Sequence, residues 1–189
     1  MKKEILLVVV ITLVVGVLLG ILFTRDGKRP ESRQAGAPAP APAVDYQQNI
    51  KALEGIVAKD PSNRHAWVEL GNAYFDSDLP TKAVKAYNKA LEIDPNDPNV
   101  LTDQGVMFRR LGWYDRAIEN FTKANKVDPS NYQSLYNLGI VYRYDLQDFA
   151  KAKEAWSRYL ELNPVGPGPD QVRAELEFLE SQPVNPGSK

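Results

Sequence analysis

Four prolines recur at nearly equal intervals along the chain. Pro61, Pro95, Pro129 and Pro164 are separated by 34, 34 and 35 residues. Two further series keep the same spacing: Gly71, Gly105 and Gly139, and Ala83, Ala117 and Ala152. A fixed period of this length is typical of a stack of similar structural units and not of one irregular core.

The overall charge argues against a nucleic-acid partner. The chain has 189 residues with 23 Lys and Arg against 24 Asp and Glu, a formal net charge of -1. Proteins that bind a phosphate backbone need a strongly basic face, so we expect no nucleic acid to bind.

Residue types needed for common catalytic and metal sites are missing. The chain has no cysteine, which excludes disulfides and thiolate metal sites, and His65 is its single histidine. No phosphate-binding glycine loop, H-E-x-x-H or EF-hand pattern is present. We therefore predict that the protein is not an enzyme and uses no cofactor or metal.

The N-terminal segment has the composition of a membrane anchor. Residues 5–23 are 19 consecutive uncharged, mostly aliphatic residues, and a helix of this length spans roughly 28 Å. A cleaved signal peptide is the alternative interpretation, but no small-x-small cleavage site follows the apolar run closely. We predict a cytoplasmic tip and transmembrane anchor over residues 1–24, with residues 5–23 in the bilayer.

The flanking charges leave the orientation of this anchor open. Lys2 and Lys3 precede the run, whereas four basic residues follow it within residues 25–33. A plain count places the C-terminal side in the cytoplasm, but a very short basic N-terminus before an apolar run is the layout of an exporting signal anchor. We favour the second arrangement, in the inner (cytoplasmic) membrane with the remaining chain facing the periplasm or exterior.

Small residues lie on one face of the predicted anchor. Thr12, Gly16 and Gly20 are spaced four residues apart, a pattern that allows two membrane helices to pack closely. This face predicts a homodimer; the alternative is that glycine is simply common in membrane helices.

Residues 25–44 form an Ala- and Pro-rich linker. Alternating Ala and Pro from Ala37 to Ala43 cannot sustain helical hydrogen bonds and favours an extended polyproline II spacer. The alternative, a ligand for a proline-binding module, lacks a clear second anchor.

Residues 45–181 have the apolar periodicity of helices, interrupted by Asp-Pro or Asn-Pro breaks. Three tandem units share one set of positions: Trp67, Leu70, Gly71, Tyr74, Ala83, Tyr87, Ala90 and Pro95, then Leu101, Gln104, Gly105, Phe108, Ala117, Phe121, Ala124 and Pro129, then Leu135, Leu138, Gly139, Tyr142, Ala152, Trp156, Tyr159 and Pro164. This pattern resembles the tetratricopeptide repeat, W-x2-L-G-x2-Y followed by A-x3-F-x2-A and P. The resemblance implies an all-α, right-handed solenoid of helical hairpins.

Three departures from the pattern carry expectations of their own. Gln104 occupies a position that is usually Leu. Tyr159 replaces a small residue, so we expect looser or shifted helix packing around Tyr159. The third unit has one extra residue, which we place in the inter-helix turn around 145–148.

We divide the helical region as follows: a partial repeat over 45–63, repeats over 64–97, 98–131 and 132–166, and a capping helix over 170–181 in which Asp170 is the N-cap. Residues 182–189 are predicted to be a disordered tail.

The resemblance implies that the first helix of each unit lines a concave groove that holds a peptide or a partner helix. The residues carried over to that groove are His65, Val68, Asn72, Phe75, Asp76, Asn99, Thr102, Val106, Arg109, Arg110, Gln133, Tyr136, Ile140, Arg143 and Tyr144. Asn72 matches an Asn that some family members use to hold a peptide backbone or terminal carboxylate.

Three arginines of the groove set allow two interpretations. Arg109 and Arg143 are 34 residues apart, so with Arg110 they can form a basic patch for a carboxylate. Alternatively, they pair with nearby acids such as Asp103 and Asp145 and face water.

The combined prediction is a membrane-tethered module that captures a protein partner in its groove. We expect an assembly factor or scaffold for an envelope complex, for example in cytochrome c biogenesis, with the lipid bilayer contacted through residues 5–23. The alternative is a self-assembling oligomeric scaffold.

Overall fold

The computed structural model describes residues 46–181, and over this range the chain contains eight α-helices and no strand. The helices are α1 Tyr46–Lys59, α2 Arg64–Asp76, α3 Pro80–Ile93, α4 Pro98–Arg110, α5 Tyr114–Val127, α6 Tyr132–Ile140, α7 Phe149–Leu162 and α8 Pro167–Ser181. A π-helical segment, Val141–Asp145, continues α6. The predicted all-α fold is thus confirmed for the described residues.

Several predictions fall outside those residues. The anchor at 5–23, its packing face at Thr12, Gly16 and Gly20, the linker at 25–44 and the tail at 182–189 are not part of the described range. Among residues 46–181, no helix is long and apolar enough to span a bilayer.

The first helix of each unit begins at an N-cap residue that recurs every 34 positions. Asn63 accepts a hydrogen bond from the amide of Ala66 at 3.0 Å, and Asn131 accepts one from the amide of Ser134 at 2.8 Å. Asp97 accepts from the second and third amides of α4 at 2.9 and 3.0 Å. These bonds satisfy amides that the helix itself leaves unpaired, which is why the Asp-Pro and Ser-Asn breaks separate the helices so sharply.

The two helices of a unit pack closely because a glycine on the first helix faces an aromatic ring on the second. A Cβ atom on Gly105 would lie 2.6 Å from Cε1 of Phe121. Gly71 faces Tyr87 and Gly139 faces Trp156 with even less room. Ala83, Ala117 and Ala152 are fully buried beside these contacts. The aromatic ring of the second helix therefore lies directly over the glycine of the first.

Gln104, the departure in the second unit, joins three helices through its amide. Its Nε2 atom donates to Oδ1 of Asn88 on α3 at 2.8 Å, and its Oε1 atom accepts from Asn120 on α5 at 2.8 Å. Because both ends of the amide are paired, the side chain can be 97% buried without the cost of an unsatisfied polar group.

The extra residue of the third unit lies in the helix and not in the turn, so that prediction was wrong. The loops at 77–79, 111–113 and 146–148 are all three residues long. The amide of Leu146 bonds to the carbonyl of Val141, five residues back, whereas the amide of Leu111 bonds four residues back to Met107. One residue is thereby absorbed as a π-turn, and the geometry of the loop is preserved.

The end of the solenoid also differs from expectation. Helix α8 begins at Pro167, so Asp170 lies within its first turn instead of capping it. The Tyr159 ring is buried between α6 and α8, with its ring centroid 5.4 Å from that of Tyr136. A Cβ on Gly168 would lie 2.9 Å from the Tyr159 hydroxyl, so a glycine is what allows α8 to start this close to the larger ring.

Candidate partner-binding surface

The first helices of the three units, α2, α4 and α6, carry the predicted groove residues; we call their shared side the A-helix surface. Three sets describe the accessibility of those residues. His65, Asp76, Asn99, Arg110, Gln133 and Tyr144 are exposed; Val68, Asn72, Phe75, Val106, Arg109, Tyr136, Ile140 and Arg143 are half-buried; Thr102 is buried.

Thr102 does not belong to an accessible groove. Its side chain is 6% exposed, and its hydroxyl donates to the carbonyl oxygen of Pro98 at 2.7 Å. It also lies 3.5 Å from Oδ1 of Asn131, the N-cap of α6. Position 102 therefore supports the start of the next unit and offers nothing to a partner.

A pocket of about 320 Å³ lies on the A-helix surface where the first unit meets the second. Its lining residues are Asn72, Phe75, Asp76, Tyr87 and Asp103. The Tyr87 hydroxyl donates to Oδ1 of Asn72 at 2.9 Å. That bond fixes the Asn72 amide and leaves its nitrogen as a donor for a peptide carbonyl.

The pocket is electrostatically negative. Burial, followed by the nearby carboxylates of Asp97 and Asp76, raises the pKa of Asp103 to about 6. Burial, followed by the same kind of repulsion from Asp103, also raises the pKa of the Tyr87 hydroxyl. Within residues 46–181, neither Asp76 nor Asp103 forms an ion pair. A carboxylate that has a raised pKa and no ion-pair partner is typical of a functional position.

The three groove arginines are each paired with an acid on a neighbouring layer. Arg109 Nε lies 2.5 Å from Oδ2 of Asp145, the pairing that was the alternative interpretation of the sequence. Arg110 pairs with Asp78 at 2.9 Å, and Arg143 pairs with Glu175 of α8 at 3.3 Å. The side-by-side basic patch that would bind a carboxylate stays an untested prediction, and these pairs compete with it.

Arg143 and Tyr144 hold α8 against the third unit. The Arg143 guanidinium lies 5.2 Å from the ring centroids of Tyr144, Phe149 and Phe178. The Tyr144 hydroxyl donates to Glu175 at 2.6 Å, and burial together with this carboxylate raises the pKa of Tyr144 to about 12. No sequence pattern predicts this contact, because it joins helices whose pairing depends on how α8 folds back.

Asp103 and Tyr87 are pocket residues that the sequence-based groove set omits. Asp103 lies 34 residues after Glu69 and 34 before Asn137, so a polar residue recurs at this position in all three units. That recurrence was the available signal for Asp103. Tyr87 belongs to the repeat pattern, but that pattern does not predict that its hydroxyl lies at the pocket. The hydroxyl reaches the pocket through the packing of α3 on α2.

Models of the tetratricopeptide repeat match three stretches of the chain, residues 65–97, 86–119 and 133–164. The helical hairpins of the three units lie within these matched stretches or directly beside them. These repeats belong to the tetratricopeptide repeat (TPR) family.

Solved structures share this TPR fold. A crystal structure of MamA superposes with a TM-score of 0.67 at 22% identity, covering 71% of this chain and 77% of that chain. The TPR domain of Arabidopsis OM64 gives a TM-score of 0.56 at 21% identity, with 69% and 98% covered. At this level of identity, the likeness shows the fold alone.

A curated relative matches a part of this chain and a small part of its own length. Tetratricopeptide repeat protein 37 of Xenopus laevis is 28% identical over 71 residues, which is 38% of this chain and 4% of that protein. The fold of the TPR units is consistent with a protein–protein interaction module. Within residues 46–181, no group of three or more His, Cys, Asp or Glu side chains is placed to hold a metal ion.

Proposed function

We propose that this protein is a membrane-tethered TPR module that captures a segment of a partner protein on its A-helix surface, with the pocket at Asn72 and Asp103 as the main anchor. The observation that carries the proposal is the convergence of two units on one cavity. Asn72, Phe75 and Asp76 come from the first unit, and Asp103 comes from the second. A side chain of the partner placed there contacts both units at once.

The charge of the pocket restricts the chemistry of the segment. Asp76 and Asp103 repel each other, and that repulsion contributes to the raised pKa of Asp103. A neutral or basic side chain relieves this repulsion, whereas an acidic one adds to it. The arginines that an acidic segment would need already pair with Asp145, Asp78 and Glu175. We therefore favour a neutral or basic segment over the acidic one considered from the sequence.

Tethering to the membrane rests on the apolar run at residues 5–23. We propose a single-pass anchor in the cytoplasmic membrane with the TPR units on the periplasmic or exterior side, in an assembly factor or scaffold for an envelope complex such as the cytochrome c biogenesis machinery. Retention in the membrane pellet after alkaline carbonate extraction, and a topology reporter fused after Lys189, test these two points separately.

The capture test uses a photo-crosslinking amino acid at position 75 in the full-length chain in native membranes. Phe75 lines the pocket, and Glu119, which is exposed on α5 and does not line it, provides the matched control position. We expect a defined adduct from position 75 and none from position 119, with mass spectrometry identifying the crosslinked segment.

A second variant separates loss of binding from loss of folding. Asp103→Asn removes the charge from the pocket and, because a half-buried carboxylate with a raised pKa is eliminated, we expect it to stabilise the fold. A weaker adduct from this more stable protein would support the pocket as the anchor. An adduct of unchanged yield would show that capture takes place elsewhere.

A further inference from the structure

One position near the end of the first helix differs between the three units. It is Phe75 in the first unit, Arg109 in the second and Arg143 in the third, at intervals of 34 residues. Both arginines reach the next layer of helices, where Arg109 pairs with Asp145 and Arg143 pairs with Glu175. Because phenylalanine carries no charge, the junction between the first and second units lacks the cation that the other two junctions contain.

The acids at this first junction belong to the pocket at Asn72 and Asp103. The charged groups that shift the pKa of Asp103 are the carboxylates of Asp97 and Asp76, and no cation is among them. Those that act on the Tyr87 hydroxyl are carboxylates as well. The pocket therefore has negative charge that no side chain of the described residues neutralises.

Arg110 does not supply the missing cation. It pairs with Asp78 in the loop of the first unit at 2.9 Å and is not among the residues that line the pocket. Its guanidinium carbon lies over the Phe75 ring, 4.8 Å from the centroid. This contact shows that the ring can stack with a guanidinium.

The pocket has the space and the acceptors for an arginine side chain. Its volume is about 320 Å³, so a long side chain has room to enter. The carboxylates of Asp76 and Asp103 and the Tyr87 hydroxyl oxygen can all accept hydrogen bonds, and a guanidinium presents five N–H donors in one plane. A lysine ammonium is more strongly hydrated and does not stack in this way.

We propose that the pocket binds an arginine side chain of the partner segment, in the role that Arg109 and Arg143 have at the other two junctions. The guanidinium pairs with Asp103 and Asp76 and stacks on Phe75. This assignment rests on the partner capture proposed above and names the side chain that the partner inserts.

The first test measures the binding of small probes to the purified full-length chain in detergent micelles. N-acetyl-arginine amide is compared with N-acetyl-citrulline amide, which has nearly the same shape without the charge, and with N-acetyl-lysine amide. The NMR signals of the Asn72 side-chain amide follow each titration. We expect the arginine probe to bind about tenfold more tightly than either of the others. Equal binding of the citrulline or the lysine probe would overturn the assignment.

A pair of charge-removing variants then locates the probe. Asp103→Asn should weaken binding of the arginine probe about tenfold while the fold is retained. Glu119→Gln on α5 removes the same charge from an exposed residue that does not line the pocket, and it should leave the affinity unchanged. Equal losses in both variants would mean that the probe responds to the net charge of the chain, which would refute binding in the pocket.

Phe75→Arg makes the first unit resemble the other two and needs no partner or probe. We expect the introduced side chain to fill the pocket, so that the arginine probe no longer binds. The unfolding equilibrium constant in urea should be about tenfold lower than that of Phe75→Gln, which removes the ring without adding a charge. This difference should shrink when Asp103→Asn is also present. A Phe75→Arg protein that still binds the probe, or that is no more stable than Phe75→Gln, would contradict the proposal.

These results can be told apart from those of the photo-crosslinking at position 75. A crosslinked partner segment that contains no arginine would overturn the assignment and leave the capture intact. Specific binding of the arginine probe without any adduct in membranes would support the arginine site and remove the capture proposal.

Discussion

The second and third TPR units achieve the same packing with different backbones. Helix α4 has 13 residues, whereas α6 and its π-helical continuation have 9 and 5. Both units place a glycine under an aromatic ring, and both end the first helix with a three-residue loop. The additional residue is accommodated inside the helix, because changing the loop would move the second helix out of contact with the glycine.

The π-turn of the third unit and the regular helices of the first two units have different roles in the solenoid. The π-turn of the third unit contains Arg143, Tyr144 and Asp145, and all three contact other layers of the same chain. The first two units keep regular helices and leave a pocket at their junction. The irregular unit is thus engaged in holding α8, and the regular units carry the accessible site.

The largest effect is expected where a side chain is added under an aromatic ring. Gly105→Ala should reduce the free energy of unfolding by about 3 kcal/mol, since the rigid ring of Phe121 must move. Gly139→Ala should reduce it at least as much, because the larger Trp156 indole is closer. Urea unfolding of both variants measures these losses. Gly55→Ala, with nothing within 4 Å of its Cβ, is the control and should stabilise slightly.

The half-buried carboxylate of Asp103, in the second unit, gives the next-largest effect. Asn137 stands in the third unit where Asp103 stands in the second, so Asp103→Asn makes the two alike. Because the folded-state pKa of Asp103 is about 6, above the pKa of about 4 of an Asp in an unfolded chain, its charge destabilises the fold as pH rises through this range. We expect a gain of about 2 kcal/mol at pH 7 that disappears near pH 4.

Unfolding in urea at several pH values checks this prediction. A gain of equal size at pH 4 and pH 7 would contradict the titration of Asp103 as its cause, because the protonated carboxyl and the amide should then differ little.

The sequence predicts the features that depend on the spacing of residues along the chain. The positions of Gly71, Gly105 and Gly139 predict helical hairpins, and Asp97 with Pro98 predicts where α4 begins. The site depends on contacts between units. The raised pKa of Asp103 requires both burial and the positions of Asp76 and Asp97. The repeat pattern does not determine these distances.

The π-turn shows the same limit. The third unit is one residue longer than the 34-residue period, which indicates an insertion between its two helices. The added residue can be accommodated either in the loop or in the helix. The outcome depends on which choice keeps Trp156 over Gly139 and Asp148 at the start of α7. These are tertiary constraints, and they also explain why Thr102 is buried in a set of residues carried over from the family.

The N-cap of α4 in the second unit should stabilise the fold more than the N-cap of α6 in the third unit. Asp97 accepts two amide hydrogen bonds and also pairs with Arg64 of the preceding unit, whereas Asn131 accepts one amide bond. We expect Asp97→Ala to cost about 2 kcal/mol and Asn131→Ala about 1 kcal/mol, measured by thermal unfolding. Asp97→Asn keeps a capping oxygen but loses the ion pair with Arg64, so it should recover about half of the loss. Equal losses at both positions would show that the ion pair with Arg64 contributes nothing.

The smallest effect, and the one with opposite signs, is expected in the loops. Gly112 has a φ of +74° and Gln147, at the equivalent position of the third unit, has a φ of +56°. Gly112→Ala places a Cβ in the left-handed region, although nothing lies within 4 Å of it, and should cost about 1 kcal/mol. Gln147→Gly removes the same strain but adds freedom to the unfolded chain, so a net gain of only about 0.5 kcal/mol is expected. Urea unfolding distinguishes the two signs. A loss at both positions would mean that the Gln147 side chain stabilises the loop in the third unit by more than its backbone strain costs.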